Sequence, residues 1–158
     1  MSVSSPEYLK ELFDQQMALG DKSISSDFTV VLDGFENLMI LFKQFPTPVL
    51  SSQGEIEVPG PMGTKVWQMQ QVSTALQGPV AMFETKRQDF RKMQRRLISQ
   101  GGVIASGRVY EGTPQNNTGS YRIKNIGFVW DTLDRDVENR TQVVTPTGTV
   151  FYHYHDED

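Results

Sequence analysis

The runs Val103-Ile104-Ala105-Ser106-Gly107-Arg108-Val109-Tyr110 and Tyr121-Arg122-Ile123-Lys124-Asn125-Ile126, joined by the polar stretch Glu111-Gly112-Thr113-Pro114-Gln115-Asn116-Asn117-Thr118-Gly119, decide the fold class. The second run alternates apolar with polar residues, which puts one set of side chains on each face of a pleated strand. The stretch between them is built of turn formers. Phe128-Val129-Trp130 continues the second strand, and Thr141-Gln142-Val143-Val144 with Thr149-Val150-Phe151-Tyr152-His153-Tyr154 are expected to flank a turn at Pro146-Thr147-Gly148.

Working back from this region, Phe90, Met93, Leu97 and Ile98 recur at helical spacing and predict a helix over 86–99, ended by Gly101-Gly102. Val80-Ala81-Met82-Phe83-Glu84 reads as a strand. Lys65–Val72 reads as another, with Val66 on an apolar face and the glutamines on a polar one. The prolines and glycines of 50–63 predict a long exposed loop around one short edge strand. Asp27–Leu32 and Asn37–Phe42, separated by Asp33-Gly34, are expected to pair as a hairpin. At the start, Ser5 is an N-cap, Pro6 the first helical residue and Gly20 a stop, giving an amphipathic helix over 6–18. About eight strands and two helices make an antiparallel α+β domain, mainly β.

The chain of 158 residues has 15 Lys+Arg against 19 Asp+Glu, hence a net charge of −4, and it reads as one domain over 1–158. With no Cys, thiolate metal sites, thiol nucleophiles and disulfides are excluded. Neither a signal peptide nor a membrane span is expected. The mild acidity argues against a dedicated nucleic-acid binder.

Little in the chain points to catalysis. His153 and His155 project from one face of the last strand and, with Asp156, Glu157 and Asp158, form a candidate metal site, read first as a solvated tail. Ser106 lacks a nucleophile elbow, and Asp131, Asp134 and Asp136 read as solvated loop carboxylates. No catalytic, cofactor-binding or metal residue is assigned, and an enzyme is not expected. The conspicuous charge feature is Lys86, Arg87, Arg91, Lys92, Arg95 and Arg96 on one helix, a docking face for an acidic partner.

The order of elements is similar to that of the tail tube proteins of contractile-tailed bacteriophages. The short N-terminal helix, the strand ending Val30-Val31-Leu32, the segment Glu57-Val58-Pro59-Gly60-Pro61-Met62-Gly63-Thr64-Lys65, the single later helix and the aromatic last strand carry the resemblance over about 6–155. Relatives of that family include baseplate tube initiators and the hexameric tube protein of type VI secretion. The resemblance implies a small antiparallel β-sandwich or barrel with an N-terminal helix and one flanking helix, copies closing edge to edge into a hexameric ring, and rings stacking into a hollow tube. A virion location with assembly in the host cytoplasm, and no membrane, comes with it. Implied partners are other copies, a sheath outside, baseplate proteins, and a tape-measure protein and DNA in the lumen. Gln68, Gln70, Gln71 and Glu84 are the candidate lumen-facing residues. Glu55, Val58, Pro59, Pro61 and Met62 belong to the candidate inter-ring loop at 50–63, with 1–22 as a helical arm, and Arg87, Arg91, Lys92, Arg95 and Arg96 form the outer basic face. The alternatives are a baseplate initiator, a secretion-type ring, and a small metal-binding β-barrel.

Overall fold

The computed structural model describes residues 5–155. Its elements are α1 (Pro6–Leu19), β1 (Thr29–Leu32), a 3₁₀ helix (Glu36–Leu41), β2 (Phe42–Gln44), β3 (Ser51–Ser52), β4 (Glu55–Pro59), a 3₁₀ turn (Pro61–Gly63), β5 (Lys65–Met69), β6 (Val72–Ser73), β7 (Ala75–Met82), α2 (Asp89–Ser99), β8 (Ile104–Gly112), β9 (Asn117–Trp130) and β10 (Thr147–Tyr154). The expected mainly-β antiparallel architecture is what the chain adopts. Six strands form one sheet in the order β1-β8-β9-β10-β7-β2, curled into a nearly closed barrel.

Alternation in the decisive runs sets the register. Gly107 stands opposite Ile123 and Val109 opposite Tyr121, so Val109 and Ile123 both enter the core. Asn125 adopts φ 54°, and across the neighbouring pair β9 advances three residues, from Gly127 to Lys124, while β10 advances two, from Phe151 to His153. The extra residue is a bulge that swaps the faces, which is why Ile123 and Ile126, three apart, are both buried. It also bends the sheet around its contents. Val30, Leu32, Val80, Met82, Val150 and Tyr152 form one core with Phe90, Met93 and Leu97 of α2. Each such side chain contributes roughly 1.5–3 kcal/mol. Trp130 meets Phe90 edge-on, with centroids 4.7 Å apart.

Several expected elements differ. The segment 37–42 is not the partner strand of β1, because Phe35, Leu38 and Phe42 recur at three and four residues and a helical turn sends all three into the core. β1 pairs with β8 instead, and the short β2 pairs with β7. The segment 141–144 is irregular; the Val144 and Pro146 carbonyls accept the amides of Glu84 and Met82 without forming a ladder. α2 begins at Asp89, and Ile98 is 72% exposed rather than core. The expected loop over 50–63 is the first half of a two-stranded arm: β4 pairs with β5, and β3 with β6 at its base.

Candidate functional site

Three surfaces stand out, and two of them are apolar elements that the described chain leaves uncovered. The first is α1. Ser5 Oγ accepts the Tyr8 amide at 3.3 Å, Pro6 opens the helix, and the Gly20 amide closes it on the Met17 carbonyl. The caps are complete, yet no residue of α1 is buried. Leu9, Leu12, Phe13 and Met17 form a stripe along one side, with Phe13 62% exposed. Glu7, Glu11 and Asp14 form a second stripe, on the opposite side by the 3.6-residue turn.

The second is the β4–β5 hairpin. Every residue of both strands is exposed. Its tip is fixed by the Gly60 amide on the Thr64 carbonyl at 2.7 Å and by Thr64 Oγ1 donating to the Pro61 carbonyl at 2.7 Å. Met62, fully exposed at the apex, is held at φ 58°, in the left-handed region that a bulky side chain disfavours. The pairing puts Val58 opposite Val66 and Ile56 opposite Gln68, so one hairpin face carries Ile56, Val58, Val66 and Gln68. The other carries Trp67, Met69, Glu55, Glu57 and Lys65, with a 3.7 Å ion pair from Lys65 to Glu57.

The third is the outer side of α2. Arg91, Lys92, Arg95 and Arg96 are all exposed there, and Arg87 is exposed in the turn just ahead of the helix. Arg96 differs from the rest: its guanidinium lies 4.8 Å above the Phe35 ring. Glu36 is held below the usual carboxylate range by its own amide and that of Gly34, with Arg96 adding to the effect. Among the described residues, Arg87, Arg91, Lys92 and Arg95 make no ion pair.

The glutamine candidates gather on the arm. Gln68 lies on β5, Gln70 donates from its amide to the Gly54 carbonyl and from Nε2 to the Glu55 carbonyl, and Gln71 is exposed between β5 and β6. Val66 and Gln68 share a face, so the expected apolar and polar sides of this strand do not exist. Glu84 is elsewhere, with Oε1 accepting the amides of Thr85 and Phe90 at 2.9 and 3.1 Å. Glu55, Val58 and Pro59 lie on β4, and Pro61 and Met62 at the hairpin tip.

Candidates for chemistry are dispersed. His153 Nδ1 lies 3.3 Å from the Asn125 amide nitrogen, His155 is exposed, and Asp156, Glu157 and Asp158 lie outside the described residues. Among the described residues no three His, Asp or Glu side chains gather as metal ligands. Asp136 accepts the Glu138 amide in a local turn, while Asp131 accepts from Thr147 and Asp33 from Ser106 across neighbouring segments of the sheet. Burial pushes the Tyr152 phenol up. A groove of about 1030 Å³ between 23–29 and β2 is lined by Ile24, Phe28, Met39, Ile40 and Phe45 with Lys43 and Glu111, and no histidine lines it. No helix among the described residues is long and apolar enough to cross a membrane.

Sequence reasoning missed the hairpin, although Glu55–Pro59 and Lys65–Met69 on either side of a Pro-Gly-Pro-Met-Gly turn carry its signal. It also missed that Arg108 stands directly opposite Arg122 on the sheet face turned away from the core.

No protein-family model and no curated protein matches the chain. Solved structures do. A chain of the PVC sheath-tube complex of an extracellular contractile injection system, in the extended state, is similar at TM-score 0.61 and 14% identity, over 87% of this chain and 92% of that one. A chain of the PVC sheath/tube terminator matches at TM-score 0.61 and 13% identity, over 84% and 94%. A chain of the tube-terminating cap of the anti-feeding prophage matches at TM-score 0.54 and 14% identity, over 85% and 89%. The chain has the fold found in these assemblies.

Proposed function

We propose that this chain is a structural subunit of a contractile tail: a tube protein whose copies close into hexameric rings that stack into a hollow tube for ejection of phage DNA. The observation that carries the reading is the uncovered apolar surface of α1 and the β4–β5 hairpin, on a chain with the fold of injection-system tube components. Exposed apolar patches of this extent mark interaction sites. A contact repeated by rotation closes a ring, and a second, axial contact builds a filament.

In this reading the hairpin from Glu55 to Met62 reaches the adjacent ring, with α1 as a second arm. Arg87, Arg91, Lys92 and Arg95 face outward toward an acidic sheath surface. Gln70 and Gln71, past the end of β5, line the passage taken by tape-measure protein and DNA, while Gln68 stays with Ile56, Val58 and Val66 on the contact face of the hairpin. Duplex DNA carries one charge per about 1.7 Å, and uncharged amides hold it less than cations do. Glu84, committed to the start of α2, is left out of this set. Baseplate proteins cap one end, and the product is a virion part assembled in the host cytoplasm.

A second reading is a terminal ring, an initiator or terminator, which the likeness to a sheath/tube terminator and a tube cap favours. Negative-stain electron microscopy over a concentration series, with mass by light scattering, tests both. Long hollow tubes with sixfold end views support the tube subunit, single or paired rings the terminal ring, and a monomer at every concentration overturns both.

A further inference from the structure

We infer that α1 of one copy lays its apolar stripe across the Ile56, Val58 and Val66 face of the β4–β5 hairpin of a second copy, an inference that rests on the assembly reading above. Neither element is self-sufficient. An isolated helix of about 12–15 residues is marginal in water, and α1 has 14 with none buried. A two-stranded hairpin alone is equally marginal, and every residue of β4 and β5 is exposed. Each therefore needs a cover that the described chain does not provide. A helix laid on a sheet is a standard way for both to bury an apolar face.

Dimensions and charge select these two as each other's partners. From Leu9 to Met17 the stripe runs about 12 Å at 1.5 Å per residue. The five-residue strands of the hairpin run about 17 Å, so the stripe fits within their length. The hairpin face with Ile56, Val58 and Val66 has no charged side chain, and its one polar member is Gln68. With the apolar stripe seated there, Glu7, Glu11 and Asp14 point away from Glu55 and Glu57, while Lys10, beside Met17 around the helix, is the only ionic side chain at the rim. Seating the acidic stripe instead would press Glu7, Glu11 and Asp14 against an uncharged face that offers them no cation. Within the ring-and-tube reading the contact is head-to-tail, the helix of each copy meeting the hairpin of the next rather than two copies exchanging both. Each added copy then leaves one free helix and one free hairpin, which extends the assembly.

The absence of Cys makes the contact directly readable. Tagged Phe13→Cys chains are mixed with untagged Val66→Cys chains under assembling conditions and oxidised, with Glu11→Cys in place of Phe13→Cys as the control on the opposite helix face. The expected result is a tagged–untagged disulfide dimer at about tenfold or more the control yield, as a contact raises effective concentration. Rings or tubes by electron microscopy without that dimer overturn this pairing and leave the proposed function standing. Predominant Phe13→Cys self-dimers overturn it in favour of helix-to-helix contact. In a Phe13→Cys/Val66→Cys double variant, a link within single chains overturns it in favour of cover by the chain's own arm. Chains that neither assemble nor cross-link overturn both readings.

Discussion

Oε1 of Glu84 accepts the amide of Phe90 at 3.1 Å, reaching six residues forward from the end of β7 into the first turn of α2. The same oxygen accepts the Thr85 amide at 2.9 Å, and Thr85 Oγ1 donates to Asp89 at 2.8 Å while receiving the Asp89 amide. Gln88, the residue before the helix, has φ 61° and no side-chain cap bond. Capping has passed to the segment ahead of it, and a carboxylate there also suits the positive helix end.

Glu84→Ala should therefore cost about 1 kcal/mol, in the range of cap losses of about 0.5–2 kcal/mol. Glu84→Gln, which keeps an acceptor oxygen, should cost less. Urea unfolding checks both, and equal midpoints for wild type and Glu84→Ala would mean the cap contributes nothing.

Met62 concerns the hairpin tip, where a long apolar side chain sits fully exposed at φ 58°. Asn tolerates that region without the entropy cost of Gly. Met62→Asn should steady the tip by about 0.5–1 kcal/mol and slow hydrogen exchange at the bonded amides of Gly60 and Thr64. The strained apolar residue is then retained for contact rather than for the hairpin, so the same variant should form shorter tubes by electron microscopy. Unchanged exchange would remove the strain argument, and unchanged tube length the contact argument.

What could be read from the sequence divides along physical lines. The run Tyr121–Lys124 was legible because its period of two is imposed by burial on one face, although the bulge at Asn125 that returns Ile126 to that face was not, and Phe90, Met93 and Leu97 were legible because they fall within about 60° of one another around a helix. Ile98, about 80° beyond Phe90, lies at the margin of that arc, and the structure leaves it in water. The segment 37–42 misled because apolar content was read without its spacing from Phe35. The basic face of α2 was legible because it opposes a buried stripe. That the described residues leave the stripe of α1 uncovered could not be read, since amphipathicity predicts a docking face but not whether the chain itself supplies the dock.

Arg108 and Arg122 stand directly opposite each other across β8 and β9, and Arg108 Nη1 donates to Ser120 Oγ at 3.2 Å. Like charges in register destabilise a strand pair, and opposite charges contribute about 0.2–1 kcal/mol. Arg122→Glu should raise the melting temperature at low salt, with the gain shrinking as salt screens the new pair. A drop in melting temperature at low salt would show that Arg122 has a stabilising partner outweighing this repulsion.

The cations of α2 divide into two groups by what they touch. Arg91 and Arg95 point outward with no ion pair among the described residues, whereas Arg96 covers the Phe35 ring and stands near Glu36. Reversing Arg91 and Arg95 to Glu should leave the melt within about 0.5 kcal/mol of wild type, as surface changes do, and should leave bare tubes intact. Arg96→Glu should instead cost about 0.5–1 kcal/mol through the lost cation–π contact. If the outer face meets an acidic sheath, the double reversal slows sheath attachment and flattens its salt dependence, because complementary charge acts mainly on the encounter rate. Co-assembly of purified tubes with sheath subunits, followed by sedimentation, reads this directly. Loss of the bare tubes themselves would place Arg91 and Arg95 at a contact between copies, and an unchanged sheath yield would free the basic face of α2 from any part in that attachment.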